Sequence, residues 1–269
     1  MTSCAKAQPY FGRIINYGGQ QSYSQPLLII IAGESNSGGI ALNSYATSPE
    51  LAKRKLKILN NSTLSSFDSL DIGSNNLVGH CGLQYAASTG HGLELQIANS
   101  YDSGYFGNRN VYLCKAGQGG TVISQWADEA TYTAETTVEP YDIYFERVDS
   151  AIAIITRNDT IPRCILIWSQ GINNGGGYPT SWKNGTKSLF TDMRSQITSL
   201  PIYITRFDSM SDYYYTQMTE IASELSDIAI ISSAGCETSQ VVAGAGFHWG
   251  YTGMKVLARR LIAAIIEDL

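Results

Sequence analysis

The stretch Leu27–Asn36, LLIIIAGESN, decides the fold. Five branched apolar residues, Leu27, Leu28, Ile29, Ile30 and Ile31, follow one another without alternation and stop at Ala32-Gly33. A short unbroken apolar run ended by a turn signal fits a strand buried on both faces, as in a parallel sheet. The next residues, Glu34-Ser35-Asn36-Ser37-Gly38-Gly39, are small and polar and fall at the carboxyl end of that strand. Open α/β sheets hold their ligands in crevices outside the carboxyl ends of parallel strands. Ser35 is therefore a candidate nucleophile.

Outward from this stretch, strand and helix patterns alternate. Residues 1–26 read as an irregular N-terminal arm, and 27–269 as one domain without linker, heptads or repeat. Pro49 to Lys57 has helical composition. The Ser-, Asn- and Gly-rich segment up to Gly90 reads as a long excursion with short strands at Lys57–Leu59 and Leu64–Phe67. Further strands are expected at Asn110–Lys115, Arg163–Ser169, Ile202–Thr205 and Asp227–Ser233, with helices from Gly92, Tyr141, Ser181, Ser211 and Gly250. Strand–helix alternation of this kind predicts an α/β fold, a three-layer α/β/α domain around a mostly parallel five-stranded sheet.

Composition narrows the function classes. With 18 Lys and Arg against 23 Asp and Glu, the net charge of -5 argues against a nucleic-acid binder working through phosphates. No apolar run is long enough to span a bilayer, and the first residues lack the apolar core of a signal peptide, so both cytoplasmic and virion-associated locations stay open. The five cysteines are scattered without a C-x-x-C pair, and there are three histidines, so neither metal nor cofactor is expected. His80 and His91 read as loop residues, Trp126 and Trp168 as core.

Four polar clusters stand where strands or the last connection end: Ser35, Gly119-Gly120, Asn173 and His248. Acyl transfer needs this combination. A serine hydroxyl attacks poorly until an imidazole takes its proton. The developing oxyanion needs fixed donors, which a glycine N–H and an asparagine amide provide. Gly119 has no Cβ, so its N–H can approach a substrate closely. His248 is the histidine that precedes the last helix.

At these residues the chain resembles the SGNH (GDSL-like) hydrolases, in the branch of sialate O-acetylesterases and acetyl-xylan-esterase-like enzymes. AGESNSGG is similar to a GQSNM-type nucleophile block, and Lys115–Trp126 (KAGQGGTVISQW) to a K-x-x-GGT-x-I-x-x-W block. Leu166–Asn174 (LIWSQGINN) stands where a WxQGE or GxND motif stands, and GFHWGYTGMKVLARRLI resembles the final block. GHGLELQIAN resembles a G-P-E-L helix start. The resemblance implies a flavodoxin-like SGNH fold with Ser35 as nucleophile, His248 as base, and Gly119 and Asn173 in the oxyanion hole. Glu34, Asn36, Gly120, Gln170 and Trp249, beside them in the same blocks, are read as substrate-contacting.

The implied activity is a serine esterase that removes acyl groups, foremost acetyl, from a carbohydrate. Two departures bear on it. In the first, the Asp usual three residues before the histidine is Ala245 and the Glu that some relatives carry in QGE is Ile172, so the group orienting the imidazole is unassigned: Glu237, Asp208 or Asp212, a backbone carbonyl in a Ser–His dyad, or none if Ala245 is an engineered inactivation. The second is Asn174 where GxND has Asp, which leaves the proposed role with Asn173. Two other readings stay open: a lipase- or thioesterase-like hydrolase, and an impaired glycan-binding or structural module of a larger assembly.

Overall fold

The computed structural model describes residues 25–52, 54–78, 88–127, 140–174, 177, 179–208, 214–238 and 247–269. At its centre is β1 (Leu27–Gly33), flanked in parallel by β6 (Val111–Lys115) and β7 (Arg163–Ser169). Outside β6 lie β3 (Lys57–Leu59) and the antiparallel edge strand β4 (Phe67–Ser69); outside β7 lie β8 (Ile202–Arg206) and β9 (Ile228–Ser232). The order is β4-β3-β6-β1-β7-β8-β9. The expected α/β class and mostly parallel sheet are present, but the sheet has seven strands rather than five. The difference lies in the excursion, whose two short strands extend the β6 edge. Short strands were expected there, but at three residues each nothing in their own pattern assigns them to the sheet.

The unbroken apolar run of β1 is explained by its two faces. Leu28, Ile30 and Ala32 enter one core with α4 (Pro140–Asn158), α5 (Pro179–Gln196) and α6 (Tyr215–Glu224). Leu27, Ile29 and Ile31 enter the other, with α3 (Leu93–Asp102) and α7 (Tyr251–Asp268). Each of these side chains is fully buried, and each Leu or Ile among them is worth roughly 1.5–3 kcal/mol before entropy is counted. The helices close the layers through stripes at helical spacing, such as Tyr144, Val148, Ala151 and Ile155 on α4 and Met254, Leu257, Leu261 and Ile265 on α7. Trp126 and Trp168 are buried edge to face at 4.9 Å, as expected of core residues.

Three local readings change. The helix expected over Pro49–Lys57 is a single turn, α2 (Ser48–Leu51), closed by a Thr47–Glu50 capping box. The strand expected at Leu64–Phe67 is shifted to Phe67–Ser69, because Leu64 stands in a left-handed turn (φ 49°). His91 is not a loop residue; it is buried in a ribbon of β2 (Ala41–Leu42) with β5 (Gly90–His91), its Nδ1 2.9 Å from Asn43 Oδ1. His80 lies outside the described residues.

A buried ion pair ties the excursion to the sheet. Lys115 Nζ, on the last residue of β6, donates to Glu94 Oε2 (3.1 Å), Gly38 O (2.7 Å) and Asn76 O (2.8 Å). Glu94 Oε1 accepts from Gly92 N–H and from Asn76 Nδ2, so both charges are fully hydrogen-bonded with no exposed surface. Removing one partner leaves an uncompensated buried charge, which costs about 3–5 kcal/mol. Glu94→Ala should therefore lower stability by that order in denaturant titration, and Glu94→Leu combined with Lys115→Met should recover part of it. If the double variant is as unstable as the single one, the ion pair is not the source of the loss.

Candidate active site

The site is built where β1 ends. Gly33 has φ +121°, and a Cβ there would lie 2.1 Å from Ser169 O, so only glycine passes this point. Glu34 N–H then donates to Ser169 O (2.7 Å), and the chain turns into the one-turn helix α1 (Ser35–Gly38). That turn is held by Ser37 N–H and Oγ–H on Glu34 O and by Gly39 N–H on Ser35 O. Lys115 holds its far end through Gly38 O. The turn is rigid, and Ser35 stands at its start.

His248 arrives from the other end of the chain. Its Nε2 lies 2.9 Å from Ser35 Oγ across 213 positions of sequence. The loop that carries it is fixed on both sides. Gly250 N–H donates to Glu237 O (3.1 Å), Trp249 pairs with Thr238 in an antiparallel bridge, and α7 starts at Tyr251. Asn36 Nδ2 donates to Phe247 O (2.8 Å), and Asn36 Oδ1 accepts from Trp249 N–H (3.2 Å). Trp249 is buried against Phe207, with ring centres 5.0 Å apart.

The third loop follows β7. Glu34 is fully buried, and its carboxylate accepts three successive backbone N–H groups: Gly171 (2.8 Å) and Ile172 (2.5 Å) on Oε1, and Asn173 (3.1 Å) on Oε2. Burial raises its pKa to about 7, the three N–H donors offsetting only part of the desolvation. The cavity beside it is lined by Phe207, Tyr214, Met218 and Trp249, which accounts for the desolvation. Gln170 is buried and saturated, donating to Asn174 Oδ1 (2.7 Å) and accepting from Trp182 Nε1 (2.5 Å). Asn174 Oδ1 also takes Ile123 N–H (3.1 Å), which links this loop to the one after β6.

The loop after β6 completes the ring. Gln118 N–H donates to Gly33 O (2.9 Å), and Gly117 is pressed against Ser37, where a Cβ would meet Oγ at 1.9 Å. Gly119 is half-buried, and Gly120 is exposed with φ +77°. Asn173 is exposed, held by its backbone to Glu34. Thus the loops bearing Ser35, Gly119, Asn173 and His248 meet at the carboxyl ends of β1, β6 and β7. Of the neighbours read as substrate-contacting, Glu34, Asn36, Gln170 and Trp249 are buried, and the first three spend their polar atoms on these loops.

Sequence reasoning did not find the Glu34 clamp, the Asn174 link or the Lys115–Glu94 pair; a carboxylate directly before Ser35 was the available signal. Of the acids considered for the imidazole, Asp208 is paired with Arg206 (2.8 Å) and accepts from Ser232 Oγ, and Glu237 supports the histidine loop through its carbonyl. Asp212 and Ala245 lie outside the described residues. Among the described residues no cluster of three His, Cys, Asp or Glu side chains is placed to hold a metal ion, and no helix is long and apolar enough to cross a membrane.

Solved structures share this fold at low identity. A protein of Arabidopsis thaliana superimposes with a TM-score of 0.63 at 15% identity, over 91% of this chain and 99% of that one. A carbohydrate acetylesterase of Xanthomonas citri gives 0.56 at 11%, over 89% of this chain and 55% of that one. A family two carbohydrate esterase of Clostridium thermocellum, solved with cellohexaose, gives 0.50 at 12%, over 90% and 64%. This chain thus spans a little over half of the Xanthomonas protein and under two thirds of the Clostridium one. No curated protein sequence is significantly similar. The family model of carbohydrate esterases described as sialic acid-specific acetylesterases matches residues 26–267. With nearly the whole chain matched, the protein belongs to that family and is a carboxylic ester hydrolase.

Proposed function

We propose that the chain is a serine esterase that releases acetate from an O-acetylated sugar, with Ser35 as nucleophile and His248 as general base. The observation that carries this reading is the 2.9 Å contact between Ser35 Oγ and His248 Nε2. It is within the range for direct proton transfer. In the first half-reaction Ser35 Oγ bonds to the ester carbonyl carbon while its proton passes to Nε2. The carbonyl oxygen becomes an oxyanion, met by the Ser35 and Gly119 N–H groups and the Asn173 side-chain amide. Collapse of this intermediate breaks the bond to the sugar oxygen, which takes the proton from Nε2. Water, deprotonated by the same nitrogen, then attacks the acetyl-serine; the bond from the acyl carbon to Ser35 Oγ breaks, Oγ takes the proton back from Nε2, and acetate leaves.

The Asn173 loop is supported in this scheme by the Glu34 carboxylate. Donors that are already oriented do not have to reorganise as charge develops, which is where most of such stabilisation arises. The family description and the carbohydrate esterases among the similar folds favour a sugar ester over a long-chain lipid ester.

Two outcomes are expected. With p-nitrophenyl acetate, butyrate and octanoate, turnover should fall with acyl length, and Ser35→Ala and His248→Ala should each lose at least about a thousandfold in kcat. Full turnover in Ser35→Ala would overturn the reading, and octanoate as the best ester would turn it towards a lipase.

The second outcome concerns pH. Glu34 has a folded pKa of about 7 against an ordinary 4.5, so between these values the folded chain holds a proton that the unfolded chain has released. Stability then falls as pH rises through this window, by on the order of 3 kcal/mol in total. Glu34→Gln removes that slope, so the melting temperature of the variant relative to the parent should climb between pH 4.5 and 7 and level off above. A constant difference across the range would show that Glu34 does not titrate there.

A further inference from the structure

Asn36 follows the nucleophile directly, is fully buried, and has both ends of its amide committed to one distant loop. The two atoms it binds are Phe247 O and Trp249 N, and these belong to the two peptide units on either side of the His248 Cα. Fixing both peptide planes fixes the φ and ψ of His248, and with them the direction of its Cα–Cβ bond. The planar amide thus does for one residue what a neighbouring strand does in a sheet. We infer that Asn36 is a positioning residue for catalysis, which sets the distance between Ser35 and His248 by carrying nucleophile and imidazole brace on adjacent residues of one rigid turn. This deepens the serine-esterase reading and rests on it.

Three features support a catalytic purpose for the hold rather than packing alone. First, the loop already has anchors on its C-terminal side, in the Trp249–Thr238 bridge and the Gly250 N–H to Glu237 O bond. The Asn36 contact to Phe247 O reaches the N-terminal side, where Phe247 itself is 39% exposed and not packed as a core residue. Second, the element that supplies the brace is immobilised independently, by Ser37 N–H on Glu34 O, Gly39 N–H on Ser35 O and Lys115 on Gly38 O. A brace on a mobile loop would fix nothing. Third, this hold acts through the backbone, so it orients the imidazole whatever stands at its other nitrogen.

Misplacement of a reacting group by about 1 Å costs on the order of a hundredfold in rate. Asn36→Ala should therefore lower kcat with p-nitrophenyl acetate by about that factor, with KM within twofold of the parent. Asn36→Asp keeps the volume and the acceptor for Trp249 N–H but sets a carboxylate oxygen against Phe247 O, and the same loss is expected of it. The deciding readout is a cycle with His248→Ala. If Asn36 acts through the imidazole, then once the imidazole is gone its removal should change the residual rate less than about threefold. An equal loss in both backgrounds, or a rise in KM with kcat unchanged, would overturn the inference, the second outcome marking Asn36 as a substrate contact. Should Asn36→Ala not fold, Asn36→Asp carries the same cycle. Failure of the esterase reading would look different, with Ser35→Ala and His248→Ala turning over at the parent rate.

Discussion

The chain leaves β1 through a gap that admits no side chain, and the site depends on that passage. At Gly33 any Cβ would collide with Ser169 O. The close approach of β1 and β7 lets Glu34 N–H bond to Ser169 O and sets the angle at which Glu34, Ser35 and Asn36 emerge. The three consecutive side chains then diverge. Glu34 turns to the loop after β7, Ser35 to the imidazole, and Asn36 to the backbone around it. A parallel sheet makes this economical, because every strand beside β1 ends at the same edge and delivers its loop there.

That edge is polar inside, and the cost falls on stability. The Lys115–Glu94 pair is desolvated and fully hydrogen-bonded, while the three N–H donors on Glu34 offset only part of its desolvation. Each, however, bonds to backbone that would otherwise be loop. Lys115 ties Gly38 and Asn76 to the sheet, and Glu34 ties three successive amides to β1. A packed apolar side chain would add more stability and hold none of these groups in a defined direction. The arrangement gives up some folding energy for loops that are ordered before any substrate arrives, the condition under which fixed dipoles lower a barrier.

Much of the fold was legible because it rests on local periodicity. β1 and β7 are unbroken apolar runs, and α4 and α7 show clear stripes, so their bounds fell within a residue or two of those expected. The excursion was less legible: β3 falls where it was expected, but β4 is shifted and the two-residue β2–β5 ribbon is defined by its pairing rather than by its own pattern. At the site, Ser35 and His248 were readable as residue types beside strand and helix ends. The tasks of Glu34, Asn36 and Gln170 were not, since each depends on a loop far away in sequence, or, for Gln170, on the tilt of Trp182. Polar residues beside Ser35 were read as substrate contacts; in the fold, Glu34, Asn36 and Gln170 are buried and hydrogen-bonded within the chain.

Glu34 and Ile172, from two distant parts of the chain, meet at one contact. Glu34 Oε1 accepts the N–H of Ile172 itself, so the residue directly after β1 supplies the carboxylate at this junction. Two carboxylates here would share one desolvated space, and one of them would have to stay protonated at neutral pH. An apolar Ile172 avoids that conflict and lines the same cavity as Met218 and Phe207. The junction thus holds one buried carboxylate with three amide donors on it and an apolar side chain beside it.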